Sequence, residues 1–349
     1  MPYFQTNSLI KIRFPSRLTK GFWTVEEKLK KTTFAVPKLA VYITLICSEP
    51  RKKHEILGFL RKKGIIRDCD ADVGKVEKIL DQLVSNHIIT SFTLHQDRSS
   101  PNFDAWKSTG WDAAAHYHSF TWDVPFLNYS EKGPGYPYAK QLMLQYHLEK
   151  PDNQRFKSYD TFLHRELLSY SQHPLLSLKE RLHLIFLLAF TKMKEVPCHW
   201  SEMPLIRRTS PSGGSRHPTE GYFLSKIEEI PPGLHHIQMS PPALVHLSGH
   251  TDTSFLEVCD DSTIGYIILT SIFERNMYKY RGARSFRVIH IDVGHIIETI
   301  EQLGVILGIK TLVHFNFSES RLLEIIGISK FEEGVMAVIS MRLNELNEN

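Results

Sequence analysis

The chain is poor in cysteine and has no long apolar run, and each absence narrows what it can be. Its four cysteines, Cys47, Cys69, Cys198 and Cys259, stand far apart and form no C-x-x-C pair. Together with the lack of a signal peptide, this argues against a disulfide framework and points to the reducing cytoplasm. The longest apolar stretch, Leu182 to Phe190, is broken by His183. It falls well short of the roughly 20 residues that a membrane-spanning helix needs, so no membrane span is expected. A surplus of one charge is missing too: 42 Lys and Arg against 38 Asp and Glu leave a formal +4. So mild a balance suits a phosphate-bearing cofactor or an acidic partner and does not mark a nucleic-acid binder. Histidine is plentiful, at 18, but no H-E-x-x-H occurs. The neighbours His235 and His236 would face opposite sides of a strand, so no metal site is expected. The nucleotide signatures G-x-x-x-x-G-K-[ST] and G-x-G-x-x-G are also absent.

What remains is an ordinary globular composition in a chain of 349 residues, long enough for two domains. The first 35 or so residues are basic and irregular, and they read as a solvated arm or a peripheral strand. From Val36 to about Phe92 the pattern tightens. An apolar stretch covers Leu39 to Ile46, and a second segment, Arg51 to Lys63, stops at Gly64. A third, from about Ala71 to Asn86, places Val73, Val76, Ile79, Leu80 and Leu83 at helical steps. Ile88-Ile89-Thr90 and Phe92-Thr93-Leu94 suggest a short hairpin. Three helices and a small β element predict a winged helix-turn-helix over residues 1–95, fit to bind DNA, to bind a peptide or to pack against the remainder. Residues 96–150 carry Gly133-Pro134-Gly135 and other turn signals and read as a structured linker. Their Trp106, Trp111 and Trp122 are taken as packing residues.

Residues 151–349 read as an α+β domain. Ser177-Leu178-Lys179-Glu180 is a capping box at a helix start. Strands are expected at Tyr222-Leu224, Tyr266-Thr270, Leu312-Phe315 and Val335-Met341. A long helix is expected from about Asp292 to Leu307 with Gly308 as its stop, and a shorter one from Arg321 to Ile326.

Two stretches carry candidate chemistry. In Arg207-Arg208-Thr209-Ser210-Pro211-Ser212-Gly213-Gly214-Ser215-Arg216-His217-Pro218, adjacent glycines let backbone amides approach a ligand, and three arginines add charge for a phosphate. The alternative is a surface loop. In the second stretch, Lys279 and Tyr280 sit among Arg275, Arg281, Arg284 and Arg287. A neighbouring ammonium lowers a phenol pKa and burial lowers a lysine pKa, so such a pair can supply a base near neutrality. The alternative is a basic surface.

The order of these motifs resembles the SagB-type peptide dehydrogenases of the flavin nitroreductase-like superfamily, which mature thiazole- and oxazole-containing peptides. The resemblance rests on Ser210 to Glu220, on Pro232-Gly233-Leu234-His235-His236, on Lys279-Tyr280 followed by Arg284 and Phe286-Arg287, and on Gly294-His295. It covers about residues 175–341. It implies an FMN-dependent nitroreductase-like fold, usually homodimeric, behind the winged-helix domain. It carries Arg208, Ser210, Pro211, Ser212, Gly213, Gly214, Arg216, His217, Glu220, Arg284 and Arg287 over as cofactor-binding candidates. Lys279 and Tyr280 are carried over as the catalytic pair that oxidises azoline rings to azoles. It further implies a precursor peptide as substrate, bound through the N-terminal domain, and a cyclodehydratase partner. The family's Arg-Arg-Ser-type segment has no copy here, with Arg155 or Arg165 only loose substitutes. That departure motivates an alternative, a flavin-free scaffold that recruits a precursor peptide. A flavin reductase acting on another peptide residue and a winged-helix DNA regulator are the other readings.

Overall fold

The computed structural model describes residues 3–6, 10–13, 22–27, 32–49, 51–92, 105–106, 108–121, 135–149, 156–172, 175–198, 204–257 and 260–344. Thr93-Leu94, Trp122, Gly133-Pro134, Arg155 and Cys259, named above, lie outside them. The chain divides into two compact units, Met1–Val124 and Pro125–Asn349.

The first unit begins with short strands, the second of the two alternatives expected for the N-terminal residues. The strands are β1 (Tyr3–Thr6), β2 (Ile10–Arg13), β3 (Trp23–Glu27) and β4 (Thr32–Val36). The basic residues hid a period of two. Ile10, Ile12 and Val25 alternate with polar neighbours and reach the unit's core. β2, β3 and β4 form an antiparallel meander, with Ile12 opposite Val25 and Val25 opposite Phe34. There follow α1 (Lys38–Ile46), β5 (Arg51–Lys52), α2 (Lys53–Lys62), α3 (Asp70–Ser85) and β6 (Ile89–Phe92). Gly64 ends α2 with φ +64°, a left-handed conformation that favours glycine. The helices meet through Ile43, Ile56, Leu60, Val76, Leu80 and Leu83. The residues expected to form a hairpin with β6 lie outside the described ones. β6 pairs with β1, Phe4 opposite Ser91, in a sheet ordered β5-β1-β6. The helix α4 (Asp112–Thr121) follows.

The second unit opens with α5 (Gly135–Glu149), β7 (His164–Leu167) and α6 (Leu178–Phe190). The capping box at the head of α6 forms as expected. The Glu180 amide donates to Ser177 Oγ at 3.3 Å, and the Ser177 amide donates to Glu180 Oε2 at 2.8 Å. Then come β8 (Lys194–Val196), β9 (Leu205–Arg207), β10 (Thr219–Ser225), β11 (Gly233–Gln238), β12 (Ala243–Ser248) and β13 (Thr263–Ile272). α7 (Phe273–Lys279), α8 (Phe286–Ile306), β14 (Ile309–His314), α9 (Glu319–Ile326) and β15 (Glu333–Leu343) complete it.

The main sheet has seven strands in the order β14-β15-β13-β10-β11-β12-β7, antiparallel throughout. Alternation along its strands serves two cores. Phe223, Ile267, Leu269 and Ile339 face α6 and α8 through Leu182, Phe186, Val293, Ile296 and Ile300. Tyr222, Leu224, Tyr266, Ile268 and Val338 face the opposite layer, packing with Phe255 and with Leu322 of α9. Fully burying one such side chain contributes roughly 1.5–3 kcal/mol, so both layers hold firmly. α8 starts six residues earlier than expected, at Phe286 rather than Asp292. Asp292 therefore sits inside the helix and does not cap it.

Candidate functional site

The loop between β9 and β10 is not a surface loop. Ser210, Ser215 and His217 are buried, and one 3-10 turn, Gly213–Ser215, bends it. Buried backbone polar groups need partners, and α8 supplies several. Ser212 Oγ donates to Asp292 Oδ2 at 2.6 Å, and the Gly213 amide donates to Asp292 Oδ1 at 3.1 Å. Ser210 Oγ pairs with Thr299 Oγ1 at 2.7 Å, and His295 Nδ1 bonds the Pro211 carbonyl at 3.2 Å. Asp292, His295 and Thr299 are three and four residues apart, so one stripe of α8 serves the loop. Burial raises the Asp292 pKa, and the Ser212 and Gly213 hydrogen bonds resist that rise. The anion that the Gly213 amide receives is thus the chain's own carboxylate. The His217 amide is likewise taken, by Ser212 Oγ at 2.9 Å.

The loop's other flank is α7. Gly214 has φ +62°, and a Cβ there would overlap the Tyr280 hydroxyl, 2.9 Å from Tyr280 Cζ and 3.0 Å from Lys279 Nζ. The two side chains therefore lie directly against the glycine backbone. Lys279 Nζ stands 5.1 Å from the centre of the Tyr280 ring. Burial lowers the Lys279 pKa; nearby Cys198 opposes this and Arg216 adds to it. The 65-residue separation between Gly214 and Lys279 in sequence closes to contact.

Beneath the loop lies a buried charge cluster. Glu220, at the start of β10, is paired through Oε1 with Arg275 Nη1 at 2.5 Å and through Oε2 with His236 Nε2 at 2.7 Å. Burial works to raise the Glu220 pKa, but Arg275, the His236 hydrogen bond and Arg208 hold it below the ordinary carboxylate range. Arg208 is buried as well. It donates to the Thr219 carbonyl at 3.3 Å, and burial pulls its pKa down to about 9 against the attraction of Glu220. Arg216 Nε donates to the Arg275 carbonyl at 2.5 Å, and His217 Nε2 bonds the Ile206 carbonyl at 2.9 Å. Farther along the sheet, Tyr222 donates to Glu333 Oε1 at 3.0 Å, and Lys157 pairs with Glu333 Oε2 at 2.6 Å.

The structure thus brings together Arg208, Ser210, Pro211, Ser212, Gly213, Gly214, Arg216, His217, Glu220, Lys279 and Tyr280 around one loop. Arg284 is exposed in the 3-10 turn Ala283–Ser285, and Arg287, in the first turn of α8, is half-buried. Glu220 faces Arg275 and His236 beneath the loop. The sequence reading passed over Asp292, Arg275, His236 and Asn276. An acid within the apolar stripe Ile289, Val293, Ile296 was the available signal for Asp292. Asn276 is fully buried, and neither end of its amide has a partner among the described residues; Arg208 Nε also has none. Among the described residues no group of three or more His, Cys, Asp or Glu could hold a metal, and no helix is long and apolar enough to cross a membrane.

No family model matches the chain. It is 29% identical over 153 residues to the trifolitoxin-processing protein TfxB of Rhizobium leguminosarum bv. trifolii, a match covering 40% of each chain. The chain thus spans less than half the length of that curated relative. Among solved structures, a nitroreductase from Anabaena variabilis matches 65% of this chain and 45% of its own, with a TM-score of 0.52 and 22% identity. That likeness makes the fold nitroreductase-like α+β. The E. coli microcin synthetase McbBCD complex with truncated pro-MccB17 bound matches 73% of this chain and 100% of its own, with a TM-score of 0.40 and 17% identity. The resemblance to the SagB-type, nitroreductase-like family stands beside these likenesses.

Proposed function

We propose that this chain, a relative of a peptide-toxin-processing protein on a nitroreductase-like fold, is an FMN-dependent dehydrogenase that oxidises azoline rings to azoles in a ribosomally made peptide. The observation that carries the reading is the convergence of Lys279 Nζ and the Tyr280 hydroxyl on the Gly214 backbone. A general base must lie within reach of the reacting group and have a pKa near the working pH. Lys279 meets the second condition in direction, since burial enlarges its neutral fraction.

One observation supports a flavin fit: the buried Asn276 amide and Arg208 Nε are polar groups without partners among the described residues. Asn276, Arg208, Arg216 and the Gly213-Gly214 turn are assigned to hold the cofactor, and Arg284 and Arg287 to add charge for its phosphate. When bound, FMN supplies the hydride acceptor. Lys279, as the neutral amine, takes the proton from the azoline ring carbon. Tyr280 orients that amine and shields it from water. Ser212 and Asp292 hold the loop still while this happens.

The remaining parts of the reading follow the same frame. Residues 1–95, with α1, α2, α3 and the β5-β1-β6 sheet, are assigned as a winged-helix domain that binds the precursor peptide by strand addition. Residues 96–150 serve as the structured linker and 151–349 as the flavin domain. A cyclodehydratase is the expected partner. A homodimer is supported by Val305 and Ile306, apolar residues exposed in the last turn of α8.

The test is spectroscopic first. Purified full-length chain should take up added FMN and show its absorbance bands. With an azoline-containing peptide and oxygen, the peptide should lose two hydrogens by mass. A colourless protein after FMN addition, or a peptide of unchanged mass, would overturn the proposal.

A further inference from the structure

We propose that Glu220 and Arg275 are positioning residues that fix the Lys279 amine against the Gly214 backbone. This deepens the proposed function, since it rests on Lys279 as the base, but its geometry is independent of any cofactor.

Two arginine-to-carbonyl bonds cross between the loop and α7. The Arg275 guanidinium donates to the His217 carbonyl at 2.9 Å, and the Arg216 guanidinium donates to the Arg275 carbonyl at 2.5 Å. Each segment thus supplies the donor for the other's backbone. Lys279 lies four residues after Arg275, one helical turn along α7. Whatever fixes Arg275 therefore fixes where Lys279 emerges.

Glu220 is what fixes Arg275. Its carboxylate is fully buried, with one oxygen on Arg275 and the other on His236. It stands on β10, which is paired on both sides, with β13 and with β11. A side chain anchored there cannot drift with a loop. A buried ion pair is weak evidence for stability, because desolvation offsets much of its attraction. Here the pair has a second task, since it joins the rigid sheet to the one helix that carries Lys279 and Tyr280. Burial is the main cause that lowers the Lys279 pKa. Glu220→Gln removes a negative charge, which by Coulomb attraction alone would lower the Lys279 midpoint further, so a rise in that variant reports displacement of the amine.

The test reads Lys279 chemically in the full chain without flavin. Competitive acetylation with acetic anhydride across pH, followed by peptide mass spectrometry, gives the titration midpoint of Lys279, with exposed Lys194 as the internal reference. In the wild type the Lys279 midpoint lies below that of Lys194. In Glu220→Gln, which loses the charge that pairs with Arg275, it rises toward Lys194, with a several-fold loss of labelling at a fixed pH below it. In Arg275→Lys, which keeps the charge but loses the fork, it rises likewise; this milder variant carries the test if Glu220→Gln does not fold. An unmoved Lys279 midpoint in either folded variant would overturn the proposal, leaving the pair as core packing. A chain that takes up no FMN while its variants still shift Lys279 would sink the function and leave this inference standing. Azoline oxidation with an unmoved Lys279 would do the reverse.

Discussion

Ser212 donates its hydroxyl to the Asp292 carboxylate at 2.6 Å, joining the loop ahead of β10 to the middle of α8. Because Asp292 also receives the Gly213 amide, Asp292→Ala leaves two half-buried donors unmet. The expected cost is about 1–3 kcal/mol for each unmet donor, less whatever a water restores, measured by urea denaturation. Burial raises the Asp292 pKa above its ordinary 3.8, so the folded state favours the acid form. Its contribution to stability is then fullest below 3.8 and declines as pH rises through the folded value. Asp292→Asn should remove that slope; equal slopes in the two proteins would exclude the assignment.

Gly214→Ala should both strain the backbone and displace Tyr280. A left-handed conformation costs a residue with a Cβ roughly 1–2 kcal/mol, and the overlap with the Tyr280 hydroxyl adds to it. The melting temperature should fall, and Tyr280 fluorescence or nitration should change. Alanine tolerated with no change in either would mean that Tyr280 does not sit on the glycine.

Lys279→Ala and Tyr280→Phe separate chemistry from cofactor binding. Azoline turnover should fall by about 10²- to 10⁴-fold in Lys279→Ala, the usual scale for losing a general base, with the FMN spectrum retained. Tyr280→Phe keeps the ring and loses the hydroxyl, so a smaller loss is expected. Burial lowers the Lys279 pKa, so the rising limb of kcat against pH should lie below the ordinary lysine value. Near wild-type turnover in Lys279→Ala would rule the residue out as base.

Glu220 sets an acid limit. Its folded pKa is held below the ordinary 4.5 by Arg275, His236 and Arg208 acting against burial. Its contribution is fully present above 4.5 and is lost as pH falls toward the folded value. Glu220→Ala takes the carboxylate away from buried Arg275 and His236, and breaking a buried pair typically costs 3–5 kcal/mol. Denaturation midpoints at pH 7 and pH 4 should converge in the variant relative to the wild type, and parallel loss in both proteins would count against the pairing.

Thiol labelling reports on the first unit. Cys69 is exposed, while Cys47 is buried and its pKa is pushed up to about 12 by burial. Cys69 should react with a disulfide reagent within the mixing time. Cys47 should react only through local or global opening, and so should accelerate with urea. Equal rates in native buffer would contradict the packing of α1.

Much of the second unit was legible because its signals are local. The Ser177–Glu180 capping box, the glycine stops at Gly308 and Gly327, and the apolar runs of β13 and β15 each need only neighbours in sequence. The Gly213-Gly214 pair and Lys279-Tyr280 were visible as unusual residues, and the family resemblance supplied the link between them. The short N-terminal strands were legible only as one of two alternatives, because charged residues masked their alternation. The long helix is expected to start at about Asp292 because the apolar stripe from Val293 on marks it, and nothing nearby in sequence reveals the partners of Asp292, which lie about 80 residues earlier. Arg275 with Glu220 was invisible for the same reason, since only the register of β10 and the path of α7 bring them together.

The place of β15 in the sheet bears on how the chain is made. β15 follows β14 in sequence, yet it lies between β13 and β14. It also carries Glu333, which holds Lys157 across 176 residues of sequence. Until β15 is made, β13 has an open edge, β14 has no partner strand and the two buried layers lack their shared strand. Contacts this distant in sequence slow folding and expose sticky edges meanwhile. The second unit therefore cannot complete its sheet before residue 343 is available, and the docking of β15 is the event that closes it.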